Sequence, residues 1–158
     1  MSDIAFLGTG LLGSALAETA AKRGERVTVW NRTSDKARAL EQFGIRVAAT
    51  SADAVRGAAR IHLVLKDDPV VDDVIAALRP GLGTSAIIVD HTTNNPARTA
   101  ERARRLNAEG VRYIHCPVFI GPAAARKQQG TILSSGPRAL FDEIHEPLSR
   151  MEIGRAHV

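Results

Sequence analysis

The segment Gly8-Thr9-Gly10-Leu11-Leu12-Gly13 has the residue types and the spacing to cradle a diphosphate. Gly8 permits a tight turn, Gly10 lets an anionic group approach the main chain with no side chain in the way, and Gly13 allows a helix and a strand to pack closely. A helix opening at this point adds unpaired N–H groups and the positive end of its dipole. Glycine-rich turns with this spacing also occur where nothing binds. The distinguishing context is a strand directly before and a helix directly after. Gly8, Thr9, Gly10, Leu11, Leu12 and Gly13 are candidate ligand contacts provided those two elements form.

A second group follows about twenty residues past the glycines, where Trp30 leads into Asn31-Arg32-Thr33 and Lys36 sits one helical turn beyond. In dinucleotide-binding units the end of the second strand meets the adenosine ribose, and an acidic residue there accepts from both hydroxyls when the ligand is NAD. A carboxylate is missing from this position. Asn31 does not repel a 2′-phosphate, Arg32 stacks on or pairs with one, Thr33 offers a hydroxyl and Lys36 a second cation. NADP is therefore the expected cofactor, in preference to NAD. The plainer alternative is that Thr33 only caps a helix and Arg32 is solvated.

Both groups need a frame, and the hydrophobic pattern predicts one. Short apolar runs alternate with amphipathic stretches along the whole chain, as in a parallel sheet covered on both faces by helices. Strands are expected at Ile4 to Leu7, Val27 to Trp30, around Arg46 to Ala48, at Ile61 to Leu65, at Ile87 to Val89 and from Arg112 to Val118, with a seventh at Thr131 to Ser134. Helical spacing of Leu12, Ala15, Leu16, Thr19 and Ala20 fills the gap after the glycines, and Gly24 stops it. Further helices are expected from Thr33 to about Gln42, from Ser51, from Pro69 with Val70 or Val71, Val74, Ala77 and Leu78 inward, from Asn95-Pro96 with Ala100, Ala103 and Leu106 inward, and from Pro137 to Arg150.

With 158 residues, 44% of them hydrophobic, one core and one domain are expected. No apolar run approaches a bilayer span, and the start lacks the basic flank and apolar stretch of a signal peptide, so a cytoplasmic protein without membrane contact is expected. The single cysteine, Cys116, fits a reducing compartment. A formal charge of +4 raises the question of nucleic acid. Much of the excess lies at Arg98, Arg102, Arg104 and Arg105, which read as a solvated helix face interspersed with Glu101 and Glu109, and no nucleic-acid partner is expected. His62, His91, His115 and His145 show no metal-ligand spacing, and Ser134-Ser135 has no nucleophile-elbow context, so neither a metal site nor a hydrolase is indicated.

Three stretches together resemble the N-terminal domain of the beta-hydroxyacid dehydrogenase family, which includes 6-phosphogluconate and 3-hydroxyisobutyrate dehydrogenases and has the imine reductases among its relatives. They are the glycine loop with Trp30-Asn31-Arg32-Thr33 and Lys36, Val89-Asp90-His91-Thr92-Thr93-Asn94-Asn95-Pro96, and His115-Cys116-Pro117-Val118. The resemblance implies a Rossmann-type α/β fold, doubly wound about a mainly parallel sheet, and an NAD(P)-dependent dehydrogenase or reductase. It implies that Thr93 contacts the cofactor near the nicotinamide ribose, and that Leu65 and Lys66 form the edge of its site. Thr92 stands where the family usually has serine and is a candidate substrate contact.

After Val118 the chain departs from the family. Phe119-Ile120-Gly121 replaces the Ser-Gly-Gly that holds a substrate carboxylate. Losing a hydrogen bond to a charged acid costs about 1.5–3 kcal/mol, so a more apolar or differently oriented small-molecule substrate is expected near Phe119, Ile120 and Gly121. The alternative is that Phe119 and Ile120 simply pack under the sheet edge.

The family's catalytic lysine belongs to a helical second domain that also carries most subunit contacts. Lys66 and Lys127 do not match its motif, and no catalytic residue is assigned. Ile153-Gly154-Arg155-Ala156-His157-Val158 is what ATC GGA AGA GCA CAC GTC encodes, a string matching a widely used sequencing adapter. Residues 1–151 are thus expected to be the NAD(P)-binding domain and 152–158 a non-native tail, with the helical catalytic and dimerisation domain of a homo-oligomeric parent absent. The alternatives are a genuine short protein, a non-catalytic NADP sensor, and an imine-reductase-like enzyme.

Overall fold

The computed structural model describes residues 3–151 and the backbone of residues 154–157. Its first strand, β1 (Asp3–Leu7), is followed by helix α1 (Leu11–Lys22), β2 (Arg26–Trp30) and a short α2 (Ser34–Arg38). Then come β3 (Arg46–Val47), α3 (Ser51–Val55), β4 (Arg60–Leu63), α4 (Asp68–Leu78), β5 (Ile87–Asp90), α5 (Pro96–Ala108) and β6 (Arg112–His115). All six strands run parallel in the order β3-β2-β1-β4-β5-β6. That is the order of a doubly wound dinucleotide-binding sheet, whose ligands sit outside the carboxyl ends of the strands where the winding reverses, here between β1 and β4.

Alternation along the central strands explains why both faces are covered. Ile4 and Phe6 point into one core cluster with Ala15, Leu16 and Ala20 of α1, while Ala5 and Leu7 point into the other with Val71, Ile75 and Leu78 of α4. In β5, Ile87 and Val89 join the first cluster and Ile88 the second, so a continuous apolar run is divided by the period-two geometry of a strand. Among the described residues no helix is long and apolar enough to cross a membrane.

Several elements differ from the sequence expectation for identifiable reasons. The helix expected from Thr33 to about Gln42 is interrupted: α2 ends at Arg38 and a separate 3-10 turn spans Glu41–Phe43, closed by Gly44 at φ 76°. Of the stripe expected to face the core in α4, Val71, Val74 and Leu78 are buried and Ile75 joins them, whereas Ala77 is exposed and lines a cleft.

Of the inward face expected for α5, Leu106 is buried and Ala103 packs beside it, but Ala100 is exposed, and Thr99 and Arg102 are the further buried residues. Arg102 is therefore no part of a solvated stripe. It is 2% exposed and holds Asp68 at 2.9 Å and Asp72 at 2.7 Å. Two carboxylates on α4 make its burial tolerable, and a buried charge is retained only when so paired.

The sixth strand is also split. Arg112–His115 stays in the main sheet, and Val118–Phe119 forms β7, antiparallel to β8 (Thr131–Ser134) in a second, three-stranded sheet. Pro117, which has no amide to donate to a ladder, marks the break. Helix α6 (Pro122–Arg126) connects β7 to β8 and packs on α1, and α7 (Arg138–Ser149) follows β8. The backbone of β9 (Gly154–His157), within the stretch read as an adapter-derived tail, lies parallel to β8. Such pairing uses main-chain groups alone and does not bear on where those residues come from.

Candidate functional site

The turn between β1 and α1 has the strand before it and the helix after it that its candidate role requires. Gly8 takes φ +99°, and a Cβ there would lie 2.2 Å from the Val64 carbonyl oxygen. A Cβ on Gly13 would lie 2.0 Å from the Gly8 carbonyl oxygen, so the close approach that Gly13 permits is between the helix and the loop itself. Gly10, in contrast, faces open space: nothing lies within 4 Å of where its Cβ would be. Gly8 and Gly13 are thus imposed by the protein's own packing, whereas Gly10 leaves room for something else.

Main-chain donors divide the same way. Gly8 N–H donates to the Trp30 carbonyl at 2.9 Å, and Thr9 N–H donates to Asn31 Oδ1 at 2.9 Å. Gly10 caps α1 without a side-chain bond, and the first-turn amides from Leu11 to Gly13 have no acceptor within the helix. Those amides, with the helix dipole behind them, are the anion-binding part of the loop.

A cleft of about 480 Å³ opens beside this turn. Gly8, Gly10, Asn31, Arg32, Thr33, Lys36, Leu65 and Lys66 all border it, so eight of the sequence candidates converge from three successive strand ends. Arg32, Thr33 and Lys36 are exposed at the β2 end, and Thr33 makes no side-chain cap bond, which leaves its hydroxyl available. Asn31 is committed to the protein: Oδ1 takes the Thr9 amide and Nδ2 donates to the Thr33 carbonyl at 3.0 Å.

Other candidates do not line the cleft. Thr9 and Gly13 are buried behind it, Leu12 packs against the core, and Leu11 stands on the outer surface, 82% exposed. Thr92 and Thr93 lie one strand further on, after β5. Thr92 is buried, and its Oγ1 accepts the Leu65 amide at 3.0 Å, while Thr93 is exposed. Phe119 is 70% exposed, so it does not pack under the sheet edge. Ile120 is half-buried, does pack against the first core cluster, and crowds Gly130, where a Cβ would meet its side chain at 2.2 Å. Gly121 caps α6 and is exposed.

Sequence reasoning missed the far wall of the cleft. Val70, Asp73, Val74 and Ala77 come from α4, with Trp30 and Val64 at its floor. Val70, Val74 and Ala77 recur at i, i+4 and i+7, which is one face of a helix. An apolar arc too wide for the core alone was the available signal. Asp73 is the one carboxylate among the cleft's lining residues, facing a rim that carries Arg32, Lys36 and Lys66.

Residues 3–154 match the family described as the NAD binding domain of 6-phosphogluconate dehydrogenase. Over 153 residues the chain is 31% identical to an uncharacterized oxidoreductase of Shewanella frigidimarina, covering 94% of this chain and 53% of that protein. Over 155 residues it is 32% identical to an NADPH-dependent reductive aminase of Aspergillus oryzae, covering 96% of this chain and 52% of that protein. Among solved structures, an imine reductase from Myxococcus stipitatus in complex with NADP+ superposes with a TM-score of 0.91 at 26% identity, over 99% of this chain and 54% of that one. The chain thus spans about half the length of the curated relatives it matches.

Proposed function

This chain belongs to the family of the 6-phosphogluconate dehydrogenase NAD-binding domain, and from that premise we propose that it is the NADP-binding domain of an oxidoreductase. The observation that carries the cofactor choice is the β2 end of the cleft, where Arg32, Thr33 and Lys36 are exposed and the residue directly after Trp30 is Asn31, not a carboxylate. Gly10, Leu11, Leu12 and Gly13 hold the diphosphate through main-chain N–H groups, and the open space at Gly10 is where it approaches. Arg32 and Lys36 neutralise the 2′-phosphate, and the Arg32 guanidinium stacks on the adenine, whose other face meets Val70, Val74 and Ala77. Leu65, Lys66 and Thr93 border the nicotinamide end. When bound, the nicotinamide supplies or accepts the hydride, and the intact parent directs it to a carbonyl, alcohol or imine carbon. The proton donor implied by the family resemblance belongs to a helical second domain, and neither Lys66 nor Lys127 matches its motif.

The exposed Phe119 favours an imine or other apolar substrate over a small hydroxyacid, because an aromatic ring stands where a carboxylate would need hydrogen-bond donors. The likeness to a reductive aminase and an imine reductase supports the same choice. The test of the cofactor assignment is Arg32→Asp, with dissociation constants for NADPH and NADH. NADPH binding is expected to fall at least about tenfold and NADH binding to hold or improve, by the worth of one charge-assisted contact. An unchanged preference for NADPH would overturn the assignment.

A further inference from the structure

The loop after β5 is gripped at every residue but one. His91 donates its amide to the Leu63 carbonyl at 2.9 Å, and Thr92 donates its own to Asp90 Oδ1 at 2.9 Å. The Thr92 carbonyl meets His115 Nε2 at 2.9 Å, and Thr92 Oγ1 takes the Leu65 amide. Asn94 Nδ2 donates to Asp90 Oδ2 at 3.1 Å, and the Asn95 amide donates to Asp68 Oδ2 at 2.9 Å. Thr93 alone has no side-chain partner among the described residues, and it is exposed.

Asp90 and Tyr113, the keystones of this arrangement, are both fully buried. The Tyr113 hydroxyl donates to Asp90 Oδ2 at 2.6 Å, so one carboxylate accepts from the phenol, from the Thr92 amide and from Asn94 at once. Behind the pair lies Arg102, whose guanidinium also holds Asp68, and Asp68 in turn takes the Asn95 amide. A buried carboxylate is costly unless fully hydrogen-bonded, and the geometry it fixes is correspondingly stiff.

Strand order determines which end of a ligand this stiffness serves. Arg32 follows β2, on one side of the glycine loop after β1; Leu65 follows β4 and Thr93 follows β5, on the other side. We infer, on the reading that the cleft takes a nicotinamide dinucleotide, that Asp90 and Tyr113 are positioning residues for its nicotinamide half. The carboxylate holds Thr92 and Asn94, the phenol holds the carboxylate, and the loop so fixed presents Thr93 beside Leu65 and Lys66. The adenosine half is held from β2 and α4 and does not depend on them.

The test separates the two halves of the ligand. Tyr113→Phe removes one hydroxyl and keeps the ring, and Thr93→Val alters only an exposed side chain. Each variant of the full chain is titrated calorimetrically with NADPH and with adenosine 2′,5′-bisphosphate, which lacks the nicotinamide. NADPH affinity is expected to fall about tenfold in Tyr113→Phe, the worth of one hydrogen bond to a charged group, while bisphosphate affinity stays within about twofold. In the Thr93→Val background, Tyr113→Phe is expected to add little further loss, because its effect passes through Thr93. Equal losses for both ligands, additive losses in the double variant, or no change in a folded Tyr113→Phe protein would each overturn the inference. If the unaltered chain binds the bisphosphate but not NADPH, the positioning role fails while the adenosine end of the cleft stands. If it binds neither, the cleft reading fails and this inference with it.

Discussion

Asn31 Oδ1 accepts the main-chain N–H of Thr9 at 2.9 Å, joining the end of β2 to the glycine loop across 22 residues of sequence. One side chain thereby couples the ribose end of the cleft to the diphosphate end. Asn31→Ala would leave the amide of the buried Thr9 without its acceptor, at a cost of about 1–3 kcal/mol. Urea denaturation is expected to show that loss, and titration to show NADPH and NADH weakened together. A change confined to NADPH would mean that Asn31 acts on the 2′-phosphate directly.

The glycines differ in a way that separates folding from binding. Gly13→Ala drives a Cβ against the Gly8 carbonyl and is expected to destabilise the chain by about 1–3 kcal/mol, the usual cost of overpacking. Gly10→Ala meets open space, so its melting temperature is expected to stay within a degree or two while nucleotide binding is lost. A Gly10→Ala protein that binds NADPH normally would show that the diphosphate does not approach there.

Arg102 and Arg104 are neighbours in sequence with opposite environments. Arg102→Ala uncovers Asp68 and Asp72 together and is expected to cost about 3–5 kcal/mol, the penalty for breaking a buried ion pair. Arg104→Ala, at an exposed position, is expected to fall within about 0.5 kcal/mol of the unaltered chain. Chemical denaturation of the two variants decides it, and equal stabilities would contradict the burial of Arg102.

Stability is expected to fall on mild acidification, because of a buried histidine pair. His62 Nδ1 lies 2.9 Å from His91 Nε2, and His91 Nδ1 lies 2.8 Å from the Cys116 carbonyl. The carbonyl only accepts, so His91 Nδ1 carries a proton; with burial keeping both rings neutral, His91 Nε2 accepts and His62 Nδ1 donates. Burial holds the two pKa values below the usual 6.5, well below it for His62, where the neighbouring His91 adds to the effect. The unfolded chain therefore binds protons first as pH drops through about 6.5, and each such proton favours unfolding. Asp68 and Asp72 are depressed below the usual 3.8, so their contribution is lost only at lower pH. Denaturation midpoints between pH 8 and 5 are expected to decline below pH 6.5 in the unaltered chain and to decline less in His62→Phe. A flat profile over that range would contradict the neutral pair.

The glycine loop and the succession of strands and helices were legible in the sequence because each rests on local rules, namely turn chemistry and an alternation of apolar runs with amphipathic stretches. The positions that were misread depend on contacts between distant segments. Arg102 looks solvated until Asp68 and Asp72 are brought beside it from α4, about thirty residues away. Ala77 looks like core until the neighbouring strands leave that face open, and its cleft-lining role is a property of the gap between α4 and the β2 end. The break at Pro117 was visible as a proline in a strand pattern and indicated a boundary that the apolar run through Val118 concealed. At Phe119 the sequence left two alternatives, and its exposure speaks against the one in which the ring packs under the sheet edge.

The most direct test of the whole account is calorimetric titration of the 158-residue chain with NADPH and, separately, with NADH. Saturable binding of NADPH with an affinity at least about tenfold above that for NADH is expected, the worth of one good contact to the 2′-phosphate. No heat with either nucleotide from a folded sample, or tighter binding of NADH, would contradict it.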